Sequence, residues 1–305
     1  MNITLKQLRY FEALARHGHF GRAADACAIS QPALSVQIKE LESTLGTALF
    51  ERGARQVRLT AFGADWAQRV RDILQAVDEL GDMARAAQSG LAGRLRIGVI
   101  PTIAPYLLPG LIGALGQSFP DLDVHVRETV TQRLIEELHD GQIDTAIVAL
   151  PVVEPGLEEL ALFDENLLLV RSEKDGAAPV PQPSDLRHLR LLLLEEGHCF
   201  RDQALSFCNL QSAMARDGLD GSSLSTLVQM VGAGIGVTLI PQMAVAVETR
   251  SARVSISRFA DPQPARRVGM IWRKTNPMAA QFRQLGDVVR QTAMPLTQVP
   301  APVAT

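Results

Sequence analysis

The spacing of apolar residues changes twice along the 305-residue chain, and each change marks a different kind of structure. Leu5, Leu8, Phe11 and Leu14 recur at three-residue steps, which predicts an amphipathic helix. Phe20 to Cys27 predicts a second, alanine-rich helix with Cys27 as a core residue. After the short turn Ala28-Ile29-Ser30-Gln31, a third helix runs from Pro32 to about Leu45, with Leu34, Ile38, Leu41 and Leu45 inward. Ser30 suits its N-cap, Pro32 its first turn and Gly46 its end. Phe50-Glu51-Arg52 and Arg55 to Thr60 follow as two short strands with exposed arginines.

From Trp66 the period becomes that of a coiled coil. Trp66, Val70, Ile73, Val77, Leu80, Ala84 and Ala87 step alternately by four and three between charged neighbours. Such a helix either lies on its own domain or pairs with a second chain. The second reading assigns dimerisation to Trp66, Val70, Ile73, Val77 and Leu80. Ser89 to Gly93 breaks the helix and supplies a hinge.

From Arg94 strands and helices alternate. Strands are expected at Leu95–Ile100, Leu122–Glu128 and Ile143–Leu150, with helices at Pro105–Ser118 and Gln132–His139 between them. A second set begins with strand Leu167–Arg171 and continues with strand Leu191–Leu194, helix Leu224–Val231 and strand Val237–Ile240. Strand Val268–Trp272 and helix Ala279–Thr292 return to the first set. This alternation implies parallel sheets covered by helices, with ligands at the carboxyl ends of strands. Thr102 and Thr131 are therefore candidate pocket residues. Gly232 to Gly236 lacks the lysine and the glycine order of a phosphate loop and precedes a strand, so no nucleotide site is expected.

Charge sharpens this division. Residues 1–60 carry eight Lys or Arg against five Asp or Glu, within a chain of net charge −3, which hints at a DNA-facing end. Three cysteines in so long a chain do not make a disulfide scaffold. The N-terminus has no signal pattern, and no apolar run approaches the ~18–20 residues of a membrane span. A cytoplasmic protein is expected, with no metal centre and no cofactor.

The chemistry concentrates between Glu195 and Cys208. Cys199 follows His198 and lies near Arg201, and a cation beside a thiol favours the thiolate that peroxides oxidise. Cys208 could trap the resulting sulfenic acid as a disulfide. If the intervening residues are helical, the two Cα atoms lie about 13 Å apart, whereas a disulfide needs them within about 7 Å. Closure would then require refolding, which makes a switch. Two unrelated core cysteines remain the other reading of this spacing.

The N-terminal unit has helix-turn-helix logic. Its third helix offers Gln31, Ser35, Gln37 and Lys39 to base edges and phosphates, and Arg52 and Arg55 suit the backbone or the minor groove. The run AADACAISQPALSVQIKELESTLGTALFERGARQVRLTAFG closely resembles the DNA-binding domain of LysR-type transcriptional regulators, with Phe62 where the family usually has a small residue. The resemblance implies a DNA-binding set of Ser30, Gln31, Pro32, Ser35, Gln37, Lys39, Arg52 and Arg55. It also implies a two-lobed α/β regulatory domain like a periplasmic binding protein. The domain plan is then a winged helix-turn-helix at 1–60, a linker helix at 61–89 and a regulatory domain at 90–305. Lobe I is 94–163 with 267–295, lobe II is 164–266, and 296–305 is a mobile tail.

The segments IPTIAPYLLP (100–109), LFDENLLL (162–169), LLLEEGHCFRDQALSFC (192–208) and SLSTLVQMVGAGIGVTLIP (223–241) resemble the peroxide-sensing members of that family. That resemblance makes Cys199 the peroxidatic thiol and Cys208 the resolving one. Pro101, Thr102, Thr131, His198, Arg201 and Asp202 surround the peroxide, and Phe200 replaces a frequent leucine. It further implies double-stranded promoter DNA, RNA polymerase and further copies of the chain, as dimer or tetramer, as partners. Hydrogen peroxide is the signal and antioxidant genes are the output. Two other readings stay open: a LysR-type regulator answering a small organic effector between the lobes, and a thiol peroxidase.

Overall fold

Thr4 and Gln7 close a capping box that starts the first helix, α1 (Leu5–His17). The structure, a computed structural model, describes residues 2–51, 57–86, 91–208 and 220–297. It divides into two units, Met1–Ala84 and Arg85–Thr305.

In the first unit α1 packs with α2 (Phe20–Ala26) and α3 (Gln31–Leu45). Leu8, Phe11 and Leu14 are buried with Leu34, Ile38 and Leu41. Leu5 is exposed, so the core begins one turn further in than the periodicity suggests. Cys27 is the C-cap of α2 and only half-buried, at the edge of the core. Burial and then the Glu12 carboxylate push its thiol pKa up. Gly46 ends α3 at φ +69°, a left-handed conformation that glycine adopts without strain. Strands β1 (Phe50–Glu51) and β2 (Arg58–Leu59) pair antiparallel. The wing tip, with Arg52 and Arg55, lies outside the described residues.

Helix α4 (Ala61–Ala86) divides the heptad seam in a way the spacing did not show. Trp66 packs edge-on against Phe11 at 4.8 Å, and Ala67 and Val70 are buried in the same core. Val70 thus faces its own domain, against its assignment to dimerisation, while Trp66 packs there at half-burial. Beyond them Val77 is half-buried, whereas Ile73 and Leu80 are 47% and 65% exposed.

The second unit starts with β3 (Gly93–Val99), α5 (Ala104–Ser118), β4 (Leu122–Glu128), α6 (Thr131–His139) and β5 (Thr145–Leu150). Of the expected hinge, Gly93 already begins β3, Leu91 is buried, and 89–90 lie outside the described residues. Then come β6 (Leu157–Ser172), β7 (Leu193–Leu194), α7 (Cys199–Phe207), β8 (Asp220–Gly221), α8 (Leu224–Gly232) and β9 (Thr238–Pro241). The short α9 (Val245–Glu248), β10 (Val254–Ser257), β11 (Ala265–Arg273) and α10 (Ala279–Thr297) complete it.

The main sheet runs β10-β6-β11-β5-β3-β4, with β9 also on β6. Strands β4, β3 and β5 are parallel, as the alternation implied. Strand β11 is antiparallel to β5 and β6, so the sheet is mixed. Strand β6 is the chief departure from expectation. It begins ten residues before Leu167 and serves both parts of the unit: 157–166 pair with β11, and 167–172 with β9 and β10. Its first half was hidden by Glu158, Glu159, Asp164 and Glu165. Arg283, Arg267 and Arg266 pair with Glu158, Asp164 and Glu165, and Glu159 accepts from the Val152 N–H.

Helix α10 continues through Pro295 to Thr297, where the sequence suggested an end at Thr292 and a tail from 296. Gln242 donates to the Thr297 carbonyl at 2.7 Å and holds that end. Residues 298–305 lie outside the described residues. Tyr106 on α5 and Ser225 on α8 both donate to the buried Glu248 of α9, at 2.6 and 2.5 Å.

Candidate thiol site and nucleic-acid interface

Gly197, at φ +97°, turns the chain after β7 and aims His198 and Cys199 at the start of α7. His198 is the N-cap and Cys199 the first helical residue. The site is a narrow cleft, partly open to solvent. Its walls are residues 100–102 from the turn after β3, 130–131 from the start of α6 and 198–200 from the start of α7. The N-terminal ends of α6 and α7 thus face one space, and their aligned peptide dipoles stabilise negative charge there.

Thr102 is buried, and its hydroxyl accepts a 2.7 Å hydrogen bond from Arg266 Nη1. The Thr102 carbonyl accepts from Arg266 Nη2 at 3.0 Å. Because the oxygen is the acceptor in that pair, the Thr102 hydroxyl proton is left to donate elsewhere. Arg266 is fully buried and paired at 2.8 Å with Glu165, which also accepts from the Met243 N–H. The guanidinium lies 5.6 Å from the Phe200 ring centre. Removing one member would leave a buried charge alone, which typically costs 3–5 kcal/mol. Thr131 Oγ1 is buried at the cleft and has no hydrogen-bond partner among the described residues, so it is able to serve a small ligand.

Burial lowers the pKa of His198, against a smaller opposing effect of Glu195. His198 is therefore a neutral imidazole at neutral pH, a donor and acceptor rather than the cation that its position beside Cys199 suggested. Arg201 is not the nearby cation either. It is buried, donates to the Leu194 carbonyl at 2.7 Å and pairs with Asp220 at 2.9 Å, so it fastens α7 to β7 and β8. Asp202 is exposed in the first turn of α7. Neither residue lines the cleft, whereas Pro101, Thr102, Thr131, His198 and Cys199 do.

Arg266 and Glu165 escaped the sequence reading because charged residues are normally outside. The available signal was strand alternation, which puts Arg266 on the inward face with Val268 and Met270.

Cys208 closes α7 as its C-cap and is 1% exposed in an apolar core. Burial pushes its thiol pKa up to about 11. Both cysteines are free thiols. A helix from 199 to 207 keeps their Cα atoms about 13 Å apart, so a disulfide needs α7 to unwind. Among the described residues no group of three or more His, Cys, Asp or Glu could hold a metal ion. No helix there is long and apolar enough to cross a membrane.

On α3, Ser30 caps the helix by accepting from the Ala33 N–H, and Ser30, Gln31, Pro32 and Lys39 are exposed. Ser35 and Gln37 are only half-buried flanks, and Gln37 donates to Glu40 at 2.8 Å.

Residues 5–64 match the bacterial regulatory helix-turn-helix protein, lysR family, and residues 88–294 match the LysR substrate binding domain. The chain belongs to the LysR family. This LysR-family chain is 44% identical to a probable hydrogen peroxide-inducible genes activator of Streptomyces viridosporus, over 94% of each chain. It is 40% identical to the DNA-binding transcriptional dual regulator OxyR of Escherichia coli, over 94% of this chain and 95% of that one. Full-length OxyR from Pseudomonas aeruginosa, carrying a cysteine-to-aspartate substitution, superposes with a TM-score of 0.76 at 36% identity, covering 95% of this chain and 98% of that one. A hydrogen-peroxide-bound cysteine mutant of Corynebacterium glutamicum OxyR gives 0.68 at 34% identity, covering 97% and 94%.

Proposed function

We propose that this LysR-family regulator senses hydrogen peroxide through Cys199 and reports it to promoter DNA by a Cys199–Cys208 disulfide. The observation that carries the reading is the cleft itself: a half-buried thiol at a helix N-terminus, facing two threonine hydroxyls and a neutral histidine. Hydroxyls and an imidazole beside a thiol supply the donors that hold a molecule of two oxygens. The named OxyR relatives, one of them bound to hydrogen peroxide, agree with this ligand.

The Cys199 thiolate attacks one peroxide oxygen. The O–O bond breaks as the S–O bond forms, and the departing hydroxide takes a proton to become water. Thr102, Thr131 and His198 hold the two oxygens and stabilise the leaving one. The Cys208 sulfur then attacks the Cys199 sulfenic acid, forming S–S and releasing a second water. One peroxide is reduced and two thiols are oxidised. The second step removes Cys208 from its packing and unwinds α7, so oxidation selects another conformation. One reaction per redox cycle is signalling rather than turnover, so the protein is a cytoplasmic regulator and not an enzyme. Dimers use the exposed Ile73 and Leu80 of α4, tetramers form on DNA, and RNA polymerase receives the output.

Anaerobically reduced protein given one equivalent of hydrogen peroxide should yield a Cys199–Cys208 linked peptide by mass spectrometry without reductant. Unmodified thiols after a large excess would overturn the reading and direct attention to an organic effector.

A further inference from the structure

The recognition helix α3 presents an apolar apex that its polar residues conceal in the sequence. Leu34, Ile38 and Leu41 fix the inward face. At 100° per residue, Val36 lies about 200° from Leu34, opposite that face. It is 52% exposed, and Pro32 and Ala33 beside it are exposed too. Ser35 and Gln37 flank it at half-burial. Among the described residues nothing buries this valine, and a β-branched residue is a poor choice for helix formation alone. Lys39 is exposed on the same side, one turn on, with the charge to meet a phosphate. Glu40, also exposed there, is hydrogen-bonded by Gln37.

We propose that Val36 packs against the C5 methyl of a thymine in the DNA major groove and makes thymine preferred at one position of each half-site. The thymine methyl is the only apolar group on the major-groove edge of a base pair, so it is the feature an aliphatic side chain can read. Pro32, about 40° away on the same face, borders the contact. This rests on the family's DNA-binding role and adds which residue sets a base preference and by what chemistry.

The test uses the full-length protein and a duplex selected by it from a random-sequence pool. Each thymine of that duplex is replaced in turn by uracil, which removes only the methyl group. Replacement at either member of one symmetry-related pair of positions, one methyl at a time, should weaken binding about three- to fivefold, the scale of one buried methyl. Val36→Ser should bind the thymine and uracil duplexes equally, with the same salt dependence as the parent protein. Its melting curve checks that the domain is folded. A duplex bound with no methyl-sensitive position, or the same sensitivity retained in Val36→Ser, would overturn the assignment alone. Failure to select any duplex would overturn the DNA-binding reading and the assignment with it.

Discussion

Cys199 and Cys208 occupy opposite ends of one nine-residue helix, in surroundings that share almost nothing. At the N-terminal end, hydroxyls, a neutral imidazole and helix dipoles face a narrow opening. At the C-terminal end the thiol sits among aliphatic and aromatic side chains, with its pKa pushed up to about 11. The same functional group thus lines a polar cleft at one end and is buried in an apolar core at the other. In the proposed switch, the helix between them is the distance that disulfide formation must collapse.

The contrast breaks most completely with Cys199→Ser. Peroxide should then produce neither a linked peptide nor a change in the DNA footprint, and a retained footprint response would move the sensing thiol elsewhere. A large effect is also expected in thiol alkylation. Near pH 7.5 Cys208 should react on the order of a hundredfold more slowly than an unperturbed cysteine, because so little of it is thiolate. Its rate should keep rising towards pH 11, as followed by mass spectrometry of the native protein. A raised folded-state pKa also means that the stability gained by burying the neutral thiol is full below about pH 9 and lost as pH rises towards 11. The melting temperature should fall over that window, and by less in Cys208→Ser.

Thr131→Val sharpens the reactive end. Its hydroxyl has no protein partner to lose among the described residues, so stability should hold while oxidation by peroxide slows about 10- to 100-fold. An unchanged rate in stopped-flow measurements would remove Thr131 from the site. The smallest effect is one of stability, at the buried end. Cys208→Ser places a hydroxyl in an apolar pocket and should cost about 1–3 kcal/mol in denaturant unfolding. It should also leave Cys199 sulfenic acid open to trapping by dimedone. No cost would mean that the site is wetter than its burial indicates.

The helices of the first unit were legible because their caps and apolar steps are local: Ser30, Gly46, and the run from Leu8 to Leu14. Strands β3, β4 and β5 were legible for the same reason. The first half of β6 was not, since its acidic residues look like loop until arginines from β11 and α10 arrive. Pro101, Thr102, Thr131, His198 and Cys199 were named from sequence, and they meet in one cleft. The family resemblance adds Arg201 and Asp202 to this set, but helical periodicity turns them away from the cleft. Arg266 was invisible because its partners are 101 and 164 residues away.

By itself the sequence determined the order of the elements, the helix-turn-helix and the two cysteines nine residues apart, since periodicity and capping act within a few residues. Only the tertiary structure decided which charges are buried, that burial lowers the pKa of His198 and that Val70 belongs to its own domain. Burial and electrostatic environment are set by groups that approach from distant parts of the chain, and no local spacing records them.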